Sequence, residues 1–261
     1  MDDRQQYWER RLRDHAGLAG VGYLGKGRRY NQWMYRVKGA VLARAVHALG
    51  LDLGAMNVLD IGSGTGFFVD KWQQLGAKTV VGTDIAAVAV ENLRKQFPGG
   101  EFFQLDIGGD LPPGQREYDL VSAFDVLYHI VDDRRFQCAI ANIHALLRSG
   151  GWFVFTESFV HTGAQRSEHQ VSRPLAEIEQ LLRETGFQSV YRKPMFVLMN
   201  FPVDASAAFW KWLWRVVTFP AGKVEALGFL LGGLLYPFEL FLTARLAEGP
   251  STEIMACRKT G

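Results

Sequence analysis

Cysteine is nearly absent from this chain of 261 residues: only Cys138 and Cys257 occur, far apart and without His or Cys neighbours at metal-ligand spacing. No disulfide framework or zinc cluster follows, and a reduced, cytoplasmic setting is expected. Net charge is almost absent as well. The 29 basic and 27 acidic side chains leave +2, which gives no bulk electrostatic reason to expect nucleic acid as a partner. The N-terminal MDDRQQYWERRLRD lacks the apolar stretch of a secretory signal. No internal repeat or low-complexity linker is found, and 48% apolar residues exclude a disordered chain. What is abundant is glycine, 28 residues, so loops that press close to something small are worth seeking.

Residues 1–56 read as a helical N-terminal cap: an amphipathic run through Arg13, a glycine-broken loop, then a helix from about Asn31 to Leu49. This stretch holds ten Lys or Arg against five Asp or Glu, which reads as a solvated helix face. From Asn57 short apolar runs ending in Gly or Asp alternate with helical stretches at Phe67–Leu75, Ala86–Gln96 and Arg134–Leu147. Strands apolar on both faces belong to a parallel sheet covered by helices, an α/β architecture. The loop Gly108 to Glu117 replaces or shortens one crossover helix. A helix Pro174–Glu184 and strands near Ser189–Met199 and Glu253–Arg258 follow. The expected division is 1–56 as cap, 57–204 with 245–261 as the α/β domain, and 205–244 as an insertion.

That insertion is oily: 26 of the 40 residues from Ala205 to Ala244 are apolar and five are charged. Phe209, Trp210, Trp212 and Trp214 interleave with Lys211 and Arg215. The uncharged run Ala226–Phe238 is 13 residues long, short of the roughly 20 a spanning helix needs, and Pro237 and Glu239 interrupt its continuation. Three uses stay open: a lid over a hydrophobic acceptor, a contact between two copies in a homodimer, or a hairpin lying in a membrane interface with its Trp and Lys/Arg at headgroup level.

The sharpest motif is Val58-Leu59-Asp60-Ile61-Gly62-Ser63-Gly64-Thr65-Gly66, a strand running into a glycine turn that opens a helix, where parallel sheets bind ligands. Three acids end consecutive strands: Asp60, Asp84 and Asp106. Asp84 follows Gly62 by 22 residues, near the ~20 expected for an acid on ribose hydroxyls. A dinucleotide would bring pyrophosphate against Asp60, and position 67 is Phe where that fingerprint wants Gly or Ala. S-adenosylmethionine brings a cationic ammonium and sulfonium, which an acid favours.

With these residues in hand, the sequence resembles the class I S-adenosylmethionine-dependent methyltransferases. The likeness is carried by VLDIGSGTG, Asp84, QLDI with Asp106, YDLVSAFDVLYHI and LLRSGGWFVFTE, over roughly Asn57 to Glu157. It implies a Rossmann-like, doubly wound, seven-stranded and mostly parallel sheet with helices on both faces, whose antiparallel strand would be Glu253–Arg258. It implies also that Asp60 and the Gly62, Gly64 and Gly66 backbone hold the methionine part, Asp84 with Ile85 the ribose end, and Asp106 with Ile107 the adenine, with Phe124 nearby. Tyr30, Trp33 and Tyr35 are candidates for an aromatic lid over the sulfonium, with helix packing as the competing use. His129 and His161 are the candidate bases for an acceptor that must lose a proton; His129 also fits a scaffold position and His161 an exposed loop. Tyr128, His169 and Arg173 are candidate acceptor contacts. Where metal-dependent relatives carry a Glu, Glu and His cluster, this chain reads Asp125-Val126-Leu127-Tyr128-His129, so no metal is expected. The expected acceptor is a small molecule, lipid-like or membrane-borne, with the enzyme peripheral to the membrane. A nucleotide-dependent oxidoreductase and a non-catalytic S-adenosylmethionine-binding subunit are the alternatives.

Overall fold

A computed structural model describes residues 3–14, 17–114 and 117–260. Positions 1 and 2 of the expected N-terminal run and positions 115 and 116 of the loop before Glu117 lie outside the described residues. The central sheet is built from β1 (Asn57–Ile61), β2 (Thr79–Asp84), β3 (Glu101–Gln104), β4 (Tyr118–Ala123), β5 (Leu147–Glu157), β8 (Phe187–Pro194) and β9 (Glu253–Lys259). A two-residue pair, β6 (Gln165–Arg166) and β7 (Val171–Ser172), forms a separate ribbon. Strand order in the sheet is β3-β2-β1-β4-β5-β9-β8, with β9 antiparallel to both neighbours and the remaining pairs parallel. The seven-stranded, mostly parallel expectation holds, and β9 is the reversed strand it named.

Alternation along the strands sends successive side chains to opposite layers. Val58, Leu120 and Val154 face a core shared with α3 (Gly27–Ala48), α4 (Phe67–Gln74) and α5 (Ala87–Gln96). Leu59, Val121 and Phe153 face α6 (Asp133–Leu146) and α7 (Leu175–Glu184). The N-terminal α1 (Asp3–Asp14) and the single turn α2 (Leu18–Val21) lie at the carboxyl edge of the sheet. Glu9 of α1 accepts hydrogen bonds from the Ala87 and Val88 amides at 2.5 and 3.4 Å, a carboxylate at the positive end of α5.

The oily segment forms two helices, α8 (Ala208–Thr218) and α9 (Glu225–Arg245). The interruption expected at Pro237 and Glu239 does not occur: α9 runs 21 residues straight through both. Glu239 turns inward, fully buried, and accepts from the Val197 and Leu198 amides at 2.6 and 2.8 Å, so its charge does not break the apolar outer face. Pro237 removes one backbone donor from a helix braced along its length by α3. By length and composition α9 could cross a membrane, with mean hydropathy 1.6 over its most apolar 18 residues.

Small residues let α9 approach α3. A Cβ at Gly232 would stand 2.4 Å from Trp33 Cδ1 and 3.0 Å from Trp33 Cβ. Gly232→Val is therefore expected to force the helices apart and destabilise by about 1–3 kcal/mol. Thermal denaturation of the variant beside Ala226→Val, on an exposed position, checks it; equal midpoints would contradict this packing.

Candidate active site

At the carboxyl ends of β1, β2 and β4 the sheet opens into a cleft of about 890 Å3, counting its open mouth. The β1 turn forms its floor. Gly62 and Gly64 hold φ of +69° and +51°, and a Cβ on them would strike Val126 Cγ2 at 2.3 Å and Val21 Cγ1 at 2.8 Å. Only glycine meets both demands there. Asp84 ends β2 and fixes the turn: Oδ2 accepts from the Gly64 amide and Oδ1 from the Ala86 amide, both at 2.9 Å. Burial pushes its carboxyl up to about 6 despite these bonds. Each oxygen keeps a lone pair for a ligand hydroxyl. Ile85, Ile107 and Phe124 supply apolar walls, Phe124 stacked on Phe68 at 4.0 Å. Asp106 stands at the same wall, its Oδ1 taking the Gly108 amide at 3.0 Å and its Oδ2 the Arg135 guanidinium.

Two expected cofactor contacts stand elsewhere. The Asp60 carboxyl lies beneath the turn, 1% exposed, where Oδ1 accepts from Ser122 Oγ at 2.6 Å and Ser122 in turn accepts from Trp72 Nε1 at 2.9 Å. Burial pushes it up to about 7, and it does not line the cleft. The acids that face the cleft and would repel pyrophosphate there are Asp84, Asp106 and Asp125. Gly66 opens α4 and packs against Phe97 and Leu93 outside the cleft lining.

The aromatic cover also differs from expectation. Tyr30 is fully buried, its hydroxyl donating to the Met199 carbonyl at 2.9 Å. Trp33 packs on Phe229 and Tyr236 of α9. Neither reaches the cleft, because that side of α3 faces the core and α9. Tyr35 does line it, edge-on to Phe67 at 4.7 Å. The cover comes from α1: Arg4, Trp8 and Leu12 line the cleft, and Trp8 meets the His129 ring edge-on at 5.0 Å. The adjacent Tyr7 and Trp8 in a charged run were the signal in the sequence, and the run reads as solvent-facing until α5 and His169 are brought beside it.

A second chamber adjoins the cleft and shares Val21, Asp125 and His129 with it. Polar side chains dominate its wall, among them Lys38, Tyr128, Ser158, Gln170, Asn200 and Thr252. Asp125 stands at the junction. It is the one non-glycine residue with positive φ among the described residues, +59°. Its amide donates to Thr156 Oγ1 at 2.8 Å, that hydroxyl donates to Oδ1 at 3.2 Å, and Oδ2 takes the Lys38 ammonium. Burial alone would push this carboxyl up, but Lys38, Tyr128 and Thr156 outweigh it and hold it below the ordinary range. Burial would lower Lys38, and Asp125 with Tyr35 raises it instead, so the pair is charged at neutral pH. Lys38 and Asp125, 87 residues apart, are the site residues that sequence reasoning passed over.

The two histidines separate. His129 borders cleft and chamber, Nδ1 2.9 Å from the His169 carbonyl, and burial lowers it to about 4. A base that weak is a neutral wall group at pH 7, not a proton acceptor of matched strength. His161 lies outside both cavities, about half exposed, with Nδ1 2.6 Å from Asp204 Oδ2 and Nε2 3.4 Å from Glu248 Oε2. Its carboxylate neighbours raise it, which suits a surface ion pair and removes it as a catalytic base. Arg173, 4% exposed, is bound to the Ile130 carbonyl at 2.8 Å and Asp133 at 2.9 Å with Phe136 beneath it, so it ties loops together instead of meeting an acceptor. Tyr128 lines the chamber. Among the described residues no His, Cys, Asp and Glu group has metal-binding geometry.

These residues fit S-adenosylmethionine: a glycine floor, Asp84 with spare acceptor capacity, apolar walls for a base, and three acids, Asp84, Asp106 and Asp125, against one basic side chain, Arg4, in the lining. Comparison with known proteins agrees. The Methyltransferase domain family matches residues 30–192. The chain is 30% identical over 142 residues to the mRNA cap guanine-N(7) methyltransferase of Schizosaccharomyces pombe, covering 49% of this chain and 38% of that protein. It is 26% identical over 153 residues to the ubiquinone biosynthesis O-methyltransferase of Albidiferax ferrireducens, covering 54% of this chain and 59% of that one. It thus spans less than two thirds of the length of both curated relatives. Among solved structures, the N-methyltransferase NodS from Bradyrhizobium japonicum, in complex with S-adenosyl-L-homocysteine, shares the fold at TM-score 0.57 and 15% identity, with all of both chains covered. Glycine turn, strand-end acids and family match lead to one conclusion: the chain belongs to the class I S-adenosylmethionine-dependent methyltransferases.

Proposed function

We propose that the protein transfers the methyl group of S-adenosylmethionine to an amphipathic small molecule held in a membrane, working from the cytoplasmic surface. The bound cofactor supplies an electrophilic methyl on a sulfonium. The chain aligns an acceptor lone pair with it and excludes water. A polar chamber beside the cleft suits the head of such an acceptor and suits a purely apolar one poorly.

The observation that carries the reading is the construction of the chamber wall. Tyr23 and Phe201 line it, and both rest on Trp214 from the inner face of α8, at ring separations of 5.8 and 5.5 Å. Lys26 Nζ donates to Thr218 Oγ1 at 2.7 Å on that same face. The outer face of α8 is exposed and aromatic: Phe209, Trp210 and Trp212 are each more than half exposed. On α9, Leu230, Leu234, Phe238 and Phe241 continue the apolar surface. A patch of this extent marks an interaction site. Trp with Lys211, Arg215 and Lys223 around it matches the composition of a membrane interface.

Flotation with liposomes and transfer of labelled methyl into a membrane extract test the reading together. The expected result is recovery with the vesicles and label in the organic phase. Full recovery in the soluble fraction would overturn it, as would a stable dimer that Leu230→Ser/Leu234→Ser disrupts without any lipid binding. Binding of S-adenosylhomocysteine with no transfer into any fraction would leave the non-catalytic subunit in its place.

A further inference from the structure

Between α3, α4 and α9, outside the cleft and the chamber, lies a recess lined by Arg29, Arg36 and Lys71 together with Gln32, Phe67 and Tyr236. No acid lines it. Among the described residues the Arg29 and Arg36 side chains make no ion pair. Each guanidinium instead lies near an aromatic ring, Arg36 4.4 Å from Trp33 and Arg29 5.9 Å from Phe229. Lys71 Nζ reaches Gln74 Oε1 at 2.5 Å. Glu225, whose carboxylate accepts from the Arg28 and Arg29 amides at 2.8 and 2.7 Å, lies outside the lining, so the recess itself presents three cations and no acid, which makes it an anion site.

Its neighbours say which anion. Phe229 and Tyr236 belong to α9, whose outward stripe Leu230, Leu234, Phe238 and Phe241 is 57 to 65% exposed. A soluble anion has no use for an apolar stripe beside it. A phospholipid has both parts.

We propose that this recess binds the phosphate-bearing headgroup of an anionic lipid while the outer stripe of α9 lies among its acyl chains. The inference rests on the membrane reading above and adds a headgroup preference and an orientation to it. Tyr35 and Phe67 form the partition, since both line the recess and the cofactor cleft. The lipid so held would fix α3 and the chamber mouth relative to the bilayer.

The test is sedimentation or flotation with phosphatidylcholine vesicles, with and without phosphatidylglycerol, at physiological salt. The expected result is tighter binding to the mixed vesicles. In Arg29→Gln/Arg36→Gln that binding falls roughly tenfold while binding to neutral vesicles stays, two surface cations having been removed. Lys78→Gln/Lys95→Gln, two exposed cations outside the recess, is expected to keep the preference. Equal loss in that control would assign the effect to diffuse charge and overturn the site. So would an unchanged preference in the arginine variant. Binding to neutral vesicles without any anionic preference would overturn this inference alone, whereas no binding to either vesicle overturns the membrane reading as well. Calorimetry with inorganic phosphate and no vesicles covers the other source: tight binding that the arginine variant loses would make the recess a soluble-anion site.

Discussion

Asp84→Ala is expected to raise the dissociation constant for S-adenosylhomocysteine at least a hundredfold. Two effects add. The variant removes a carboxylate placed for ligand hydroxyls, and hydrogen bonds to a charged group contribute about 1.5–3 kcal/mol each. It also strips the Gly64 and Ala86 amides of their acceptor, and Gly64 is the middle glycine of the cofactor floor. Asp84→Asn keeps one amide acceptor and should fall between. The pH dependence is a sharper check. Burial raises the Asp84 carboxyl to about 6 in the free protein, against an ordinary value near 4. Below pH 6 it is protonated and accepts poorly, so wild-type affinity should weaken as pH falls from 7 to 5. In Asp84→Asn that slope should vanish. Stability runs in the opposite sense: a raised carboxyl contributes most below its unfolded value and loses that contribution as pH rises through 6. Isothermal calorimetry at pH 5, 6 and 7 separates these; a slope retained in Asp84→Asn would assign the titration to another group.

The sheet was legible because its strands are apolar on both faces and end in Gly or Asp, a pattern that survives any later packing. The turn from Asp60 to Gly66 was legible for the same reason, since its demands are local. Side-chain direction was not. Asp60 and Asp84 end neighbouring strands and read alike, yet Asp60 meets Ser122 and Trp72 behind the turn while Asp84 faces the cleft. Tyr30, Trp33 and Tyr35 sit within two turns of α3, and helical geometry points them to three different surroundings: the core, α9 and the cleft. Which of the three covers the ligand depends on where α9 docks, a contact about 200 residues distant in sequence. Glu239 misled for a related reason. A charge in an apolar run reads as a break until two free amides, at Val197 and Leu198, are set opposite it.

Asp125→Gly is expected to lower turnover by about a hundredfold or more while leaving cofactor affinity within a few-fold of wild type. The backbone at Asp125 is left-handed, a conformation that costs a non-glycine residue about 1–3 kcal/mol and that persists where the surroundings enforce it. Here Thr156, Lys38 and Tyr128 enforce it, and all three act on the carboxylate or the amide of this one residue. The outcome of that strain is a fixed negative charge where the cofactor cleft meets the polar chamber. A charge so held can orient an acceptor and favour cationic character at the transferring carbon without reorganising, and preorganised groups of this kind supply factors of about 10² to 10³. Glycine adopts the same φ without strain, so the variant isolates the carboxylate from the backbone it sits on. Lys38→Met leaves the Asp125 carboxylate without its counter-charge, as Asp125→Gly leaves the buried Lys38 ammonium. Each is therefore expected to destabilise by about 3–5 kcal/mol, less the strain that glycine relieves, and the two differ in turnover because Lys38→Met keeps the junction carboxylate. Single-turnover methyl transfer to membrane extract, with S-adenosylhomocysteine affinity and thermal unfolding measured on both variants, distinguishes the two. Full turnover in Asp125→Gly would show that the junction charge has no part in the reaction, and the Lys38 pair would then be a brace between α3 and the sheet.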